Sequence, residues 1–241
     1  MLYTQTVAPE TLELLKRLES EPFMDSFSLA GGTALALYLG HRVSVDLDLF
    51  TPESFDEKAV GVFPYGTKYG FQNQNFTAQH TLKGTIGGVK IDCIAHRYKS
   101  LRPPHMESGL RLYDMEDIIA MKLAAISDDG SRLKDFIDMA FLSTRFSLDS
   151  MLRCFERKFP FSNVLGPVKG LLYFDDINFG EKVFIPAYEY SWENIALRLR
   201  DMSLQQDHVF DTAPLARHKD CREEKVPEDN DTPGQKHGRR R

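Results

Sequence analysis

Gly31-Gly32, followed after thirteen intervening residues by Asp46-Leu47-Asp48, constrains this chain more than any other feature. An apolar entry, Ser26–Ala30, reads as a short strand, and the paired glycines let the backbone turn tightly and approach a ligand. Thr33 is placed to cap the helix Thr33–Leu39 that follows, whose first N–H groups form an anion site. Val43–Phe50 then reads as a strand. Its alternation puts Asp46 and Asp48 on one face and Val45, Leu47 and Leu49 on the other. Two carboxylates side by side repel each other, and a cation between them, with Mg²⁺ preferring such oxygen ligands, relieves the repulsion.

The rest of the chain supplies partners for this stretch. Gly87-Gly88 predicts a hairpin turn, and Val89–Ile94 a strand that places Asp92 next to the aspartate pair. Phe76–Leu82 reads as another strand and Glu53–Val60 as a helix. After Pro103-Pro104 the pattern turns helical. Asp114 caps Met115–Ser127, where Lys122 falls in the middle of an apolar face made by Met115, Ile118, Ile119 and Ile126. A lysine there needs a partner or an opening, and Asp117 and Asp128 are the nearest candidates. Further helices are predicted over Pro9–Ser20, Ser131–Thr144, Ser147–Phe159, Gly166–Tyr173 and Ser191–Ser203. In Ser131–Thr144 the apolar face is Leu133, Phe136, Ile137, Ala140 and Phe141, with Asp135 and Asp138 on the opposite side.

Composition sets the bounds. With 241 residues and 42% hydrophobic side chains, the chain can build one large core or two small ones. A net charge of −5 gives no global footprint for nucleic acid, so any such contact must be local. Cys93, Cys154 and Cys221 form no CxxC pair, which argues against zinc and a disulfide framework and fits a cytoplasmic protein. No signal peptide and no run of membrane-spanning length is visible. From Gln205 the chain turns polar and apolar-poor with balanced charges, which predicts a disordered tail, its three terminal arginines included.

Taken singly, each of these features has an ordinary explanation: a turn, a solvated strand edge, a snorkelling lysine. Their order (strand, Gly-Gly turn, helix, Asp-x-Asp strand, third strand carrying Asp) is hard to obtain by chance. Together they offer what nucleotidyl transfer requires, namely a phosphate cradle, carboxylates for a metal, and a base for the acceptor hydroxyl.

The pattern resembles the polymerase-β-type nucleotidyltransferase superfamily. More narrowly, GGTALAL…HRVSVDLDLF, KIDCIAH, the Lys122 helix, RLKDFIDMAFL and YFDDINF…SWENI resemble the AbiEii/AbiGii toxin family over about residues 10–200. The resemblance implies an α+β fold. A mixed sheet with flanking helices would occupy residues 1–105 and a helical region 106–204 would close over the site, leaving 205–241 as the tail. It implies that Gly31, Gly32 and Thr33 hold phosphate and that Arg42 and Ser44 form the R-x-S before the acidic pair. Asp46, Asp48 and Asp92 would bind Mg²⁺, Lys122 would bind nucleotide, and Asp135 or Asp138 would be the later functional acid. The superfamily often has Gly-Ser where this chain has Gly-Gly-Thr. The activity implied is transfer of NMP from an NTP to RNA, with tRNA leading, by a toxin of a toxin–antitoxin or abortive-infection system whose antitoxin is encoded alongside. A small-molecule nucleotidyltransferase, or a non-catalytic binding module on the same fold, are the alternatives.

Overall fold

The computed structural model describes residues 1–56, 67–74 and 78–218. Its centre is a mixed seven-stranded sheet ordered β3-β4-β5-β2-β1-β7-β6. The strands are β1 (Ser28–Leu29), β2 (Leu47–Thr51), β3 (Gln72–Asn73), β4 (Thr81–Ile86), β5 (Val89–Ala95), β6 (His105–Glu107) and β7 (Leu110–Leu112). β2 runs parallel to β5 and antiparallel to β1, so the two strands that carry the acids are neighbours although a hairpin lies between them in sequence. Gly87-Gly88 makes the β4–β5 turn with both residues at positive φ, as the sequence predicts.

Several boundaries differ from the sequence reading. β2 begins at Leu47, not Val43. The backbone before it is engaged elsewhere: Val43 N–H donates to the Phe184 carbonyl and Ser44 N–H to the Thr6 carbonyl, which takes these residues out of the ladder. The sheet also continues past residue 105, because β6 and β7 form a hairpin closed by Ser108-Gly109, both at positive φ, the geometry of a two-residue turn. Strands of three residues are too short for alternation to reveal them. The helix expected over Glu53–Val60 is absent from residues 53–56, and 57–60 lie outside the described residues. The strand expected from Phe76 begins at Thr81; residues 75–77 are outside the described set.

The longer helices among the described residues are α1 (Pro9–Glu19), α2 (Gly31–Leu39), α3 (Met115–Asp128), α4 (Leu133–Leu142), α5 (Leu148–Lys158), α6 (Leu165–Gly170) and α7 (Trp192–Leu204). Three start on the caps that the sequence marks: Asp114 accepts from Glu116 N–H, Ser147 from Ser150 N–H and Ser191 from Asn194 N–H. α4 packs against α2, α3 and α7. Enclosed on several sides, it buries Asp135 and Asp138 as well as its apolar face, contrary to the expectation that those acids lie on an outer side.

Residues 205–218 are not the start of a loose tail. Leu215 is buried, Phe210 N–H donates to the Ser143 carbonyl, and Arg217 bridges to Tyr188. Arg198 draws the segment in by stacking on Phe210, 4.2 Å away. The end of the chain from 219, with its arginines and Cys221, lies outside the described residues. One apolar core runs from Leu2 to Leu215 through both the sheet and the helices. Among the described residues no helix is long and apolar enough to cross a membrane.

Candidate active site

Asp48 on β2 and Asp92 on β5 face each other in register across a parallel pair. The alternation of β2 buries Leu47 and Leu49 and leaves Asp48 on the cleft side. Among the described residues the Asp48 carboxylate makes no hydrogen bond or ion pair. Burial, reinforced by the charge of Asp92, pushes its pKa up, while Lys122, Lys90 and Arg132 pull the other way. Asp92 meets Lys83 Nζ at 3.2 Å and Lys90 Nζ at 3.4 Å, both through Oδ2. Its Oδ1 is buried with no partner.

The glycine turn is shaped around this pair. Gly31 sits at φ +63°, and a Cβ there would collide with the Asp48 carboxylate; a Cβ on Gly32 would collide with the Arg42 guanidinium. α2 therefore begins at Gly31, with Ala30 in the cap position and no side chain capping it. Its first N–H groups are left without intrahelical acceptors, open to an anion. Thr33 is not the cap that the sequence suggests. It lies inside the helix, where its hydroxyl donates to the Asp46 carbonyl and lies 2.8 Å from Ser44 Oγ, whose hydroxyl can donate to it. Thr33 and Ser44 thus pin the loop before β2, and both are buried.

Behind the turn lies a buried charge cluster centred on Asp138. Arg42 donates to it twice, Nε to Oδ1 at 2.7 Å and Nη2 to Oδ2 at 2.9 Å. His41 Nε2 lies 2.7 Å from Oδ1 and Lys122 Nζ 2.7 Å from Oδ2. These partners hold the Asp138 carboxyl well below the usual carboxylate range against the opposing effect of burial. Burial pushes the His41 pKa down, outweighing Asp138, so the imidazole is neutral. Lys122 also reaches Asp135 Oδ1 at 2.5 Å, and Arg132 Nε lies 3.8 Å from Asp135 Oδ2. The partners of Lys122 are thus Asp135 and Asp138; Asp117 instead binds Lys158 Nζ at 2.5 Å and the N–H groups of Leu101 and Arg102.

Two hollows with shared lining residues border the acids. The larger cleft, about 730 Å³, is lined by Gly31, Gly32, Asp48, Asp92, Lys122, Arg132 and Asp135 at one end. A smaller one of about 160 Å³ shares Gly32, Asp48, Lys122 and Arg132 and adds Arg42, Ser44, Asp46, Lys134 and Lys182. Asp46 therefore meets Asp48 at the smaller hollow, from the loop and not from the strand. Asp135 borders the cleft and Asp138 borders neither hollow, so the two acids that the sequence leaves undivided have different surroundings. Arg42, expected to hold phosphate, is 2% exposed and engaged with Asp138.

No three carboxylate, imidazole or thiolate groups surround a single point among the described residues. Mg²⁺ does not require such a cage, because it binds through one or two carboxylates and completes its shell with water and substrate phosphate. Asp48, beside Asp92 and with no partner of its own, suits that mode.

Lys83, His96, Tyr98, Arg132 and Phe159 also line the cleft and escape the sequence reading. His96 had a signal, since it continues the alternation Asp92-Ile94-His96. Phe159 comes from the end of α5 with none.

A family model described as nucleotidyl transferase AbiEii toxin, type IV toxin–antitoxin system, matches residues 13–80 and 68–235. An uncharacterized protein of Aquifex aeolicus is 32% identical over 196 residues, covering 77% of this chain and 90% of its own. MenT4, a nucleotidyltransferase toxin of Mycobacterium tuberculosis, is similar in structure with a TM-score of 0.53 at 15% identity, over 81% of this chain and 84% of its own. JHP933 of Helicobacter pylori gives a TM-score of 0.48 at 19% identity, over 83% of this chain and 93% of its own.

Proposed function

This chain belongs to the AbiEii nucleotidyltransferase toxin family, and from that premise we propose that it is a Mg²⁺-dependent enzyme moving NMP from an NTP to an RNA acceptor, a tRNA. The single observation carrying the site assignment is the in-register Asp48–Asp92 pair beneath the uncapped start of α2.

Asp48 would hold the cation, with Asp46 approaching from the loop. Bound there, Mg²⁺ supplies charge neutralisation for the phosphates. The N–H groups at Gly31-Gly32 take a phosphate oxygen. Lys122 and Arg132, with Lys134 and Lys182 bordering the smaller hollow, hold the β- and γ-phosphates and steady the pyrophosphate as it leaves. The acceptor oxygen bonds to the α-phosphorus, the α–β bridging bond breaks, and the hydroxyl proton passes to Asp92 Oδ1, the oxygen with no partner, which this role leaves free of the cation. Asp135 orients Lys122 at the cleft, and Asp138 anchors it from behind.

In the cell this reading makes the chain a cytoplasmic growth-arresting toxin of an abortive-infection, phage-defence system, controlled by an antitoxin from a neighbouring gene. Incubation with labelled NTPs, Mg²⁺ and total tRNA tests the chemistry. Labelled tRNA is expected from wild type, and at least a hundredfold less from Asp48→Ala or Asp46→Ala. Label appearing only in a small-molecule fraction, or Asp48→Ala labelling as well as wild type, would overturn it.

A further inference from the structure

The larger cleft does not end at the acids. Down β5, the side chains on the face of Asp92 continue through Ile94 to His96, about 13 Å along at roughly 3.3 Å per residue. There the lining becomes aromatic. His96 stacks on Phe50 with ring centroids 5.7 Å apart and meets Tyr98 at 5.1 Å; Tyr98 meets Phe159 edge-on at 4.7 Å. Tyr98 nevertheless stays 53% exposed, a large ring at the cleft wall that the fold leaves half uncovered. His96 Nε2 is buried and has no hydrogen-bond partner. Burial lowers its pKa to about 4, so the ring is neutral near pH 7 and retains one donor and one acceptor nitrogen. The transfer chemistry uses none of these groups.

We propose that this aromatic end is a nucleobase subsite, in which a base stacks on Tyr98 and its edge meets the unpartnered His96 nitrogen. The inference rests on the transferase reading. The acids and the start of α2 fix a phosphate at one end, the aromatic rings lie at the other, and a ribose fits between. A flat ring with polar edges matches an exposed aromatic face beside an unsatisfied nitrogen, whereas a purely apolar ligand would leave that nitrogen without a partner. Either the incoming NTP or the terminal nucleotide of the acceptor carries such a base.

Calorimetry with Mg²⁺ separates these. Wild type, Tyr98→Ala and Tyr98→Phe are titrated with each NTP, with inorganic tripolyphosphate, and with a short tRNA-end oligonucleotide. Base stacking lost on alanine substitution corresponds to about a tenfold weakening. If the NTP base occupies the subsite, Tyr98→Ala weakens NTP binding about tenfold, leaves tripolyphosphate unchanged, and Tyr98→Phe restores the affinity. If the acceptor base occupies it, the same pattern appears with the oligonucleotide and NTP binding is unchanged. Both outcomes support the subsite and identify the source. Unchanged affinity for every ligand in Tyr98→Ala, or equal weakening of tripolyphosphate, overturns it while leaving the transferase reading intact. A wild type that binds neither NTP nor tripolyphosphate removes the transferase reading and the subsite together.

Discussion

One carboxylate, Asp138, lies within 3 Å of nitrogens from His41, Arg42 and Lys122, all four residues being buried. Taking away one member of a buried ion cluster costs more than the cluster contributes, because the charges left behind cannot return to water. Asp138→Ala is therefore expected to destabilise the protein by about 3–5 kcal/mol, measured by urea unfolding. Asp48 shows the opposite balance. Its carboxylate has no partner, and its raised pKa means that stability is lost as pH rises through that value and the group ionises beside Asp92. At pH 7 in metal-free buffer, Asp48→Asn is expected to melt above wild type. Added Mg²⁺ should raise the wild-type melting temperature and leave Asp48→Asn where it was. The sequence makes Asp48, Asp92 and Lys122 legible because each breaks a local pattern: a charge in a strand alternation, or in the middle of an apolar helix face. It does not reveal what Asp138 does, because the side chain that explains it, Arg42, lies 96 positions away.

At the scale of elements, α2 is the sharpest case. Both Gly31 and Gly87 have positive φ, so alanine at either meets the same backbone penalty of about 1 kcal/mol. Only at Gly31 would the added carbon also strike a side chain, that of Asp48; around Gly87 there is open space. Gly87→Ala is expected to lower stability by about 1 kcal/mol and keep transfer activity, while Gly31→Ala loses activity as well. Comparing unfolding midpoints with labelling rates separates the two effects. Capped helices were the most legible elements, since Asp114, Ser147 and Ser191 each announce a start through a local hydrogen bond. α2 starts two residues before Thr33 with no signal in the sequence, because its first turn has no capping side chain, and an open helix start of that kind is what an anion site requires. The β6–β7 hairpin and the late start of β2 depend on distant backbone partners and on strands too short to show a period.

At the scale of the molecule, the segment after α7 belongs to the fold. Arg198 donates from Nη1 to Ser143 Oγ at 2.9 Å and stacks on Phe210, while Leu215 is 4% exposed. A chain ending at Leu204 is expected to melt several degrees below one ending at His218, because it loses the buried Leu215 side chain, worth about 2 kcal/mol, and uncovers Arg198. Thermal melts of the two truncations check this. Polar composition suggested disorder here because a few well-placed apolar side chains carry the packing, and their partners lie on α4 and α7.

The Asp138 cluster also has a consequence in time. His41 and Arg42 are made before Asp138, the hydrogen-bond partner of the first and the counter-charge of the second, which follows almost a hundred residues later. Until then the guanidinium has no reason to leave water, and the loop that carries Asp46 is held against the glycine turn by Thr33 and Ser44 alone. The loop beside the acids is thus settled only once α4 has been made, although its own residues precede Asp138 by almost a hundred positions.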